Sequence, residues 1–290
     1  MKMTEACVAC LSEKYRDKAP VGASPSQRTA YREQVLRVID GNRPLSAPET
    51  VEKIEETYVS FFGPLEEFTE QKIYFNDIML ALEPHLQKQA ESAPDPLKCA
   101  VQFTMAANFI DFGAMKKVED EQLNGFLESA HTSAVDPAVL EQLRGEIVRA
   151  RRMVYFTDNC GEIVADKVLM RVMRLLNPTL HITAVVRGAP ALNDATAEDA
   201  AQVRLNEACD AVLDNGCGIA GTVLSRLPDK TALTVQQADF LLSKGQGNYE
   251  TLSGCGLNLY YIFLCKCPLF VERFGVPRFS GILIRERENG

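Results

Sequence analysis

The residues best suited to chemistry stand directly after short apolar runs in the second half of the chain. Met153–Phe156 leads into Thr157-Asp158-Asn159-Cys160-Gly161-Glu162, and His181–Val186 into Arg187-Gly-Ala-Pro190 and then Leu192-Asn193-Asp194-Ala195-Thr196. Asp210–Leu213 gives Asp214-Asn215-Gly216-Cys-Gly218-Ile-Ala-Gly221-Thr222, and Phe240–Leu242 gives Ser243-Lys244-Gly245-Gln246-Gly247-Asn248. Asp158, Asn159 and Asp194 offer two carboxylates and an amide oxygen, hard donors that suit Mg²⁺ or Mn²⁺ better than zinc, which favours His and Cys. Lys244, in a glycine-rich segment with free backbone N–H groups, could cradle a phosphate. Each piece has a plainer reading: Asp-Asn-x-Gly as a turn, Asn193 to Thr196 as a helix cap, Lys244 as a solvated lysine. Their recurrence at successive strand ends favours a phosphoryl site.

The elements that must position these residues follow from the hydrophobic pattern. From Arg151 onward, short apolar runs (also Ala232–Val235, Leu259–Leu264 and Gly281–Ile284) alternate with helical stretches such as Glu162–Leu176 and Ala197–Ala208. Strand–helix alternation predicts a Rossmann-like, mostly parallel α/β sheet with helices on both faces, whose functional loops gather at the carboxyl ends of the strands. The first half carries helical punctuation instead. Ser46-Ala-Pro-Glu49 is a capping box ahead of Val51, Ile54, Tyr58 and Phe61, and Asp95-Pro96 opens a run through Val101, Met105 and Ile110. Further helical stretches fall near 5–17, 27–40, 66–88 and 136–150. The reading is an all-helical domain over 1–150, able to cap the site, and an α/β metal-binding catalytic domain over 151–290.

Composition excludes several classes. The 290 residues are 46% hydrophobic and 24% charged, with net charge −8; this is a globular composition, and an acidic one with no basic stripe for duplex nucleic acid. No apolar run is long enough to span a bilayer, and Met1 to Cys7 lacks a signal-peptide pattern, so a cytoplasmic location is expected. The nine cysteines then read as thiols rather than a disulfide framework. Cys7-x-x-Cys10 with Cys265-x-Cys267 is a weak zinc pattern, and Cys160 as nucleophile has no histidine near it in sequence. Gly216-Cys-Gly218-Ile-Ala-Gly221 spells a dinucleotide fingerprint but does not open the fold, and reads better as a tight turn.

Taken together, Asp158-Asn-Cys-Gly-Glu162, Asn193-Asp194-x-Thr196, the Gly216–Thr222 turn, and Asp239 followed by Lys244-Gly-Gln-Gly-Asn248 resemble the damage-control phosphatase family, long labelled domain of unknown function 89. Cys7-x-x-Cys10, Asn108-Phe-Ile-Asp111 and Lys266-Cys267-Pro268 look like its stand-alone microbial branch, so the resemblance spans nearly the whole chain. It implies a phosphatase for small phosphorylated metabolites, dependent on Mg²⁺, Mn²⁺, Co²⁺ or Ni²⁺. It also implies a metal held by Asp158, Asn159 and Asp194, a phosphoryl group met by Lys244, and a pocket lined by Glu162, Asn108, Asp111, Asn193 and Asn248. Asp239 is expected to orient Lys244 or act as base. No nucleic-acid or membrane partner is implied, and the oligomeric state is open. Two competing readings are a haloacid-dehalogenase-like phosphatase with an aspartyl nucleophile, which Asp158-Asn-Cys does not fit, and a non-enzymatic metal- or nucleotide-binding regulator.

Overall fold

Caps written in the sequence start most of the early helices. In a computed structural model, which describes residues 1–110, 125, 130 and 133–286, Thr4 caps α1 (Glu5–Tyr15), and Ser24 and Ser46 form full capping boxes on α2 (Pro25–Gly41) and α3 (Ala47–Phe62). Tyr31, Val35, Ile39 and Ile54 are the buried centre of these three helices, with Val51, Tyr58 and Phe61 packed around them. They form one compact unit, Met1–Glu67; the second is Phe68–Gly290. The break in pattern near residue 150 therefore marks where the sheet begins, whereas the division into units falls at Glu67. The intervening helices α4 (Thr69–Ser92), α5 (Pro96–Ala107) and α6 (Pro137–Arg149) share their core with the sheet.

Six strands form one sheet in the order β3-β2-β1-β4-β5-β6: β1 (Arg152–Phe156), β2 (His181–Val186), β3 (Ala211–Asp214), β4 (Phe240–Lys244), β5 (Leu259–Leu264) and β6 (Gly281–Arg285). The first five are mutually parallel and β6 is antiparallel to β5. Both faces are covered, as a parallel sheet requires. Tyr260 and Ile262 of β5 enter the core shared with α4, α5 and α7 (Glu162–Leu176), while Tyr261 and Phe263 stack on Tyr249 of α10 (Gln246–Leu252) from the other face. This is the expected Rossmann-like architecture.

Local departures have local causes. Ala232–Val235, read as a strand, lies inside helix α9 (Asp229–Gln236). Thr231 and Val235 are its buried residues, a four-residue spacing, and the Thr231 hydroxyl donates to the Asp214 carbonyl at 2.8 Å. The helix expected over Ala197–Ala208 stops early: α8 spans Ala197–Gln202, Arg204 turns left-handed (φ 52°), and a 3₁₀ turn follows at Leu205–Glu207. After β5, α11 (Pro268–Phe274) is the last described helix. No described helix is long and apolar enough to cross a membrane.

Candidate active site

The segments leaving β1 and β2 run side by side beyond the sheet. Ala195 N–H donates to the Asp158 carbonyl and Cys160 N–H to the Asn193 carbonyl, both at 2.7 Å, and Asn159 bridges Asp194. That backbone pairing brings Asp158, Asn159 and Asp194 together, all buried. Gly161 (φ 66°) then turns the chain into α7 where the Phe75 backbone leaves little room for a side chain, and its N–H donates to buried Asn76 of α4 at 2.6 Å.

Two amides and two carboxylates interlock above this turn. Asn108, just past α5, donates to Asp158 Oδ2 at 2.9 Å and Glu162 Oε2 at 2.8 Å, and Asn159 donates to the same two oxygens at 2.8 Å each. With its nitrogen committed, Asn159 presents its carbonyl oxygen as the atom left for a ligand. Below, Lys244 at the end of β4 donates to Glu162 Oε1, to Asp166 Oδ1 at 2.8 Å and to the Thr104 carbonyl at 3.2 Å; Tyr155 OH also donates to Asp166, at 2.8 Å. Beside Asp158, buried Arg187 donates to Asp194 Oδ2 at 2.6 Å and to Asp158 Oδ1 at 3.3 Å.

The electrostatics are strained in one direction. Burial first, then the charges of Asp194 and Glu162, push the Asp158 carboxyl well above the ordinary carboxylate range, against the pull of Arg187 and Lys266. Burial pushes Asp166 up to about 6 in spite of Lys244. Burial alone would lower the Lys244 ammonium, but Asp166 and Glu162 outweigh it and raise its pKa. Among the described residues, four buried carboxylates (Asp158, Glu162, Asp166, Asp194) thus face two buried cations, Arg187 and Lys244.

That deficit and the donor chemistry fit a hard divalent cation. Among the described residues no three His, Cys, Asp or Glu are grouped to hold a metal; the third donor here is an amide oxygen, from Asn159, which such a grouping omits. At the rim, burial pushes the Cys160 thiol well up, away from the thiolate that zinc would need.

The other expected residues take distinct places. Glu162 is fully buried in the interlocked group, and Asn193 donates to the Ile110 carbonyl at 3.1 Å. Asn248 braces the strand ends, donating to the Thr157 and Lys244 carbonyls at 3.0 and 2.7 Å while its own carbonyl accepts from Thr222 and Arg187. Lys244 is a strand residue rather than a loop residue, and its three N–H bonds go to protein acceptors. Asp111 lies outside the described residues. Asp239 does not orient Lys244: it stands at the opposite end of β4, where its carboxylate accepts from the Arg151 and Arg152 N–H groups at 2.7 and 2.9 Å. Gly216–Gly221 does not open an α-helix (a single 3₁₀ turn follows at Leu224–Arg226), so the fingerprint is a turn, with Gly216 at φ 76° packed on the Arg226 carbonyl. Arg187, Asp166 and Asn76 went unread in the sequence. Only Asp166, four residues after Glu162 on one helix face, left a periodic signal.

A groove of about 290 Å³, lined in part by Arg152, His181, Thr183, Leu213, Lys230 and Thr234, lies beside the starts of β1 and β2. None of the rim residues lines it, and the convergence of buried polar groups, not that groove, marks the site.

The chain is 29% identical over 282 residues to a damage-control phosphatase of Archaeoglobus fulgidus, covering 95% of this chain and 96% of that one. It is 29% identical over 221 residues to a damage-control phosphatase of Pyrococcus horikoshii, covering 73% and 75%. The crystal structure of a DUF89 family protein from Pyrococcus horikoshii superposes with a TM-score of 0.82 at 22% identity, over 99% of this chain and 100% of that one, which establishes the shared fold. The damage-control phosphatase ARMT1-like domain matches residues 3–282, and the chain belongs to that family.

Proposed function

We propose that this protein is a divalent-metal-dependent phosphatase acting on small phosphorylated metabolites. The observation that carries the reading is the convergence of Asp158, Asp194 and the Asn159 carbonyl at the carboxyl rim, all three buried. The damage-control phosphatases to which the chain is similar support the reaction class. Bound between these three residues, Mg²⁺, Mn²⁺, Co²⁺ or Ni²⁺ would supply Lewis acidity toward the phosphoryl oxygens and activation of a water.

The chain's own residues prepare that chemistry. Asp158 and Glu162 accept from the Asn159 amide nitrogen, so that its oxygen, not its nitrogen, faces the ligand position, and Asn108 donates to the same two carboxylate oxygens. Lys244 acts through Glu162 rather than on the substrate, holding that carboxylate in place. Asp158 has both oxygens engaged, Oδ1 by Arg187 and Oδ2 by Asn108 and Asn159, a poor arrangement for an aspartyl nucleophile and a good one for a ligand.

The test is hydrolysis of p-nitrophenyl phosphate and a panel of sugar phosphates with each of the four metals. Metal-stimulated turnover that vanishes in Asp158→Ala is expected. Metal binding without turnover on any substrate would favour a regulator instead, and a trapped phospho-enzyme an aspartyl nucleophile.

A further inference from the structure

Arg187 is the first residue after β2, and its backbone N–H is already tied to the Ala195 carbonyl at 2.8 Å. Its guanidinium reaches every neighbouring strand end. Nε donates to Asp194, in the segment after β2; Nη2 to Asp158, after β1; Nη1 to Thr222 Oγ1, after β3, at 3.5 Å and to Asn248 Oδ1, after β4, at 3.3 Å. The side chain is 1% exposed. One planar fork therefore joins the segments that leave four parallel strands.

The end of the fork away from the carboxylates is anchored independently of them. Thr222 Oγ1 donates to Asn248 Oδ1 at 2.8 Å, and the Asn248 amide is held by the Thr157 and Lys244 carbonyls. A guanidinium fixed from behind in this way sets where its carboxylate partners stand. Without it, Asp158 and Asp194, buried side by side with like charge, would separate.

We propose that Arg187 is the positioning residue of the metal site: it holds Asp158 and Asp194 at ligand spacing, and the ion enters beside the guanidinium rather than displacing it. The inference rests on the metal-dependent reading of the same site. It is a statement about geometry as much as charge, because lysine can replace the charge but not the fork that spans two carboxylates and Asn248.

The test is calorimetric titration of Mn²⁺ into the full-length protein, with folding of each variant checked by circular dichroism at the titration temperature. Arg187→Gln should weaken Mn²⁺ binding about 10- to 100-fold, the range typical of residues that orient metal ligands, and Arg187→Lys should recover only part of that loss. Asp239→Ala, at the far end of the sheet, serves as a destabilised control and should bind Mn²⁺ like the wild type. If Arg187→Gln fails to fold, Thr222→Val, which loosens the anchored end and touches neither carboxylate, should still weaken Mn²⁺ binding several-fold. Binding unchanged or tighter in the folded Arg187 variants (or, failing those, in Thr222→Val) overturns the inference and leaves the metal site standing. Absence of Mn²⁺ binding by the wild type removes the metal reading itself. Full recovery by Arg187→Lys would reduce the role to charge and overturn the positioning claim.

Discussion

The two ends of the sheet use carboxylates in opposite ways. At the amino ends of the strands, Asp239 accepts from two backbone N–H groups, and Asp210 accepts from Ile182 N–H at 2.8 Å and from Arg174 at 2.6 Å. Both are held below the ordinary carboxylate range, Asp239 chiefly by those backbone donors, Asp210 by donors that overcome its burial. At the carboxyl ends, Asp158 and Asp166 are buried among other carboxylates and pushed up. The first pair stabilises its charged form and ties strands together. The second is kept in an environment its charge opposes, the pattern the proposed function would require of residues held for binding or chemistry.

That contrast can be broken experimentally, and the largest expected effect is on activity. Asp158→Ala should cost about 10³-fold or more in metal-stimulated turnover, the equivalent of ~4 kcal/mol of transition-state stabilisation, while its melting temperature without metal stays within a few degrees of wild type. A variant that melts far lower would place Asp158 with the architectural carboxylates. Next in size, Lys244→Met leaves Glu162 and Asp166 buried without their cation, and should lower stability in urea by about 3–5 kcal/mol. Asp239→Ala inverts the pattern: turnover unchanged, stability down by roughly 1 kcal/mol as two strand-end N–H groups lose their acceptor. Reduced turnover at full stability in that variant would dissolve the distinction between the two ends.

The smallest effect is in pH dependence. Asp166 ordinarily titrates near 3.8 and is raised to about 6 in the fold, so between those values the folded protein holds a proton that the unfolded chain has released. Stability is therefore expected to fall as pH rises from about 4 to 6 and to level off above, through this group. Asp166→Asn should flatten that slope in metal-free urea titrations. The lowered Asp239 and Asp210 act in the other sense, their contribution being lost as pH falls through their folded-state values, so their alanine variants should lose acid sensitivity instead.

Much of this was legible in the residues. The alternating apolar runs place all six strands to within two residues at either end, and the capping box at Ser46 or the Asp95-Pro96 start needs only neighbours to act. The candidate ligands stand out because Asp158-Asn159 and Asn193-Asp194 follow strands directly. What stayed hidden depends on partners distant in sequence. Arg187 looks like the first residue of a turn until the fold brings Asn248, 61 positions on, to its guanidinium. Lys244 looks like a loop cation until Asp166, 78 positions back, closes on it. The segment Ala232–Val235 was misread because four consecutive residues of mixed polarity suit either period, and the choice was made by the packing of Thr231 and Val235.

Gly245 carries a consequence of its own. It sits at φ 82°, and a Cβ there would overlap the Asp158 carboxylate, so the placement of a candidate ligand depends on an atom that is missing from the residue directly after β4. A substitution scan that ranked positions by lost activity would flag residue 245 as strongly as the ligands, although glycine has no group to contribute. Read the other way, Gly245→Ala is a means of silencing the site from its backbone, leaving every acid, amide and base chemically intact.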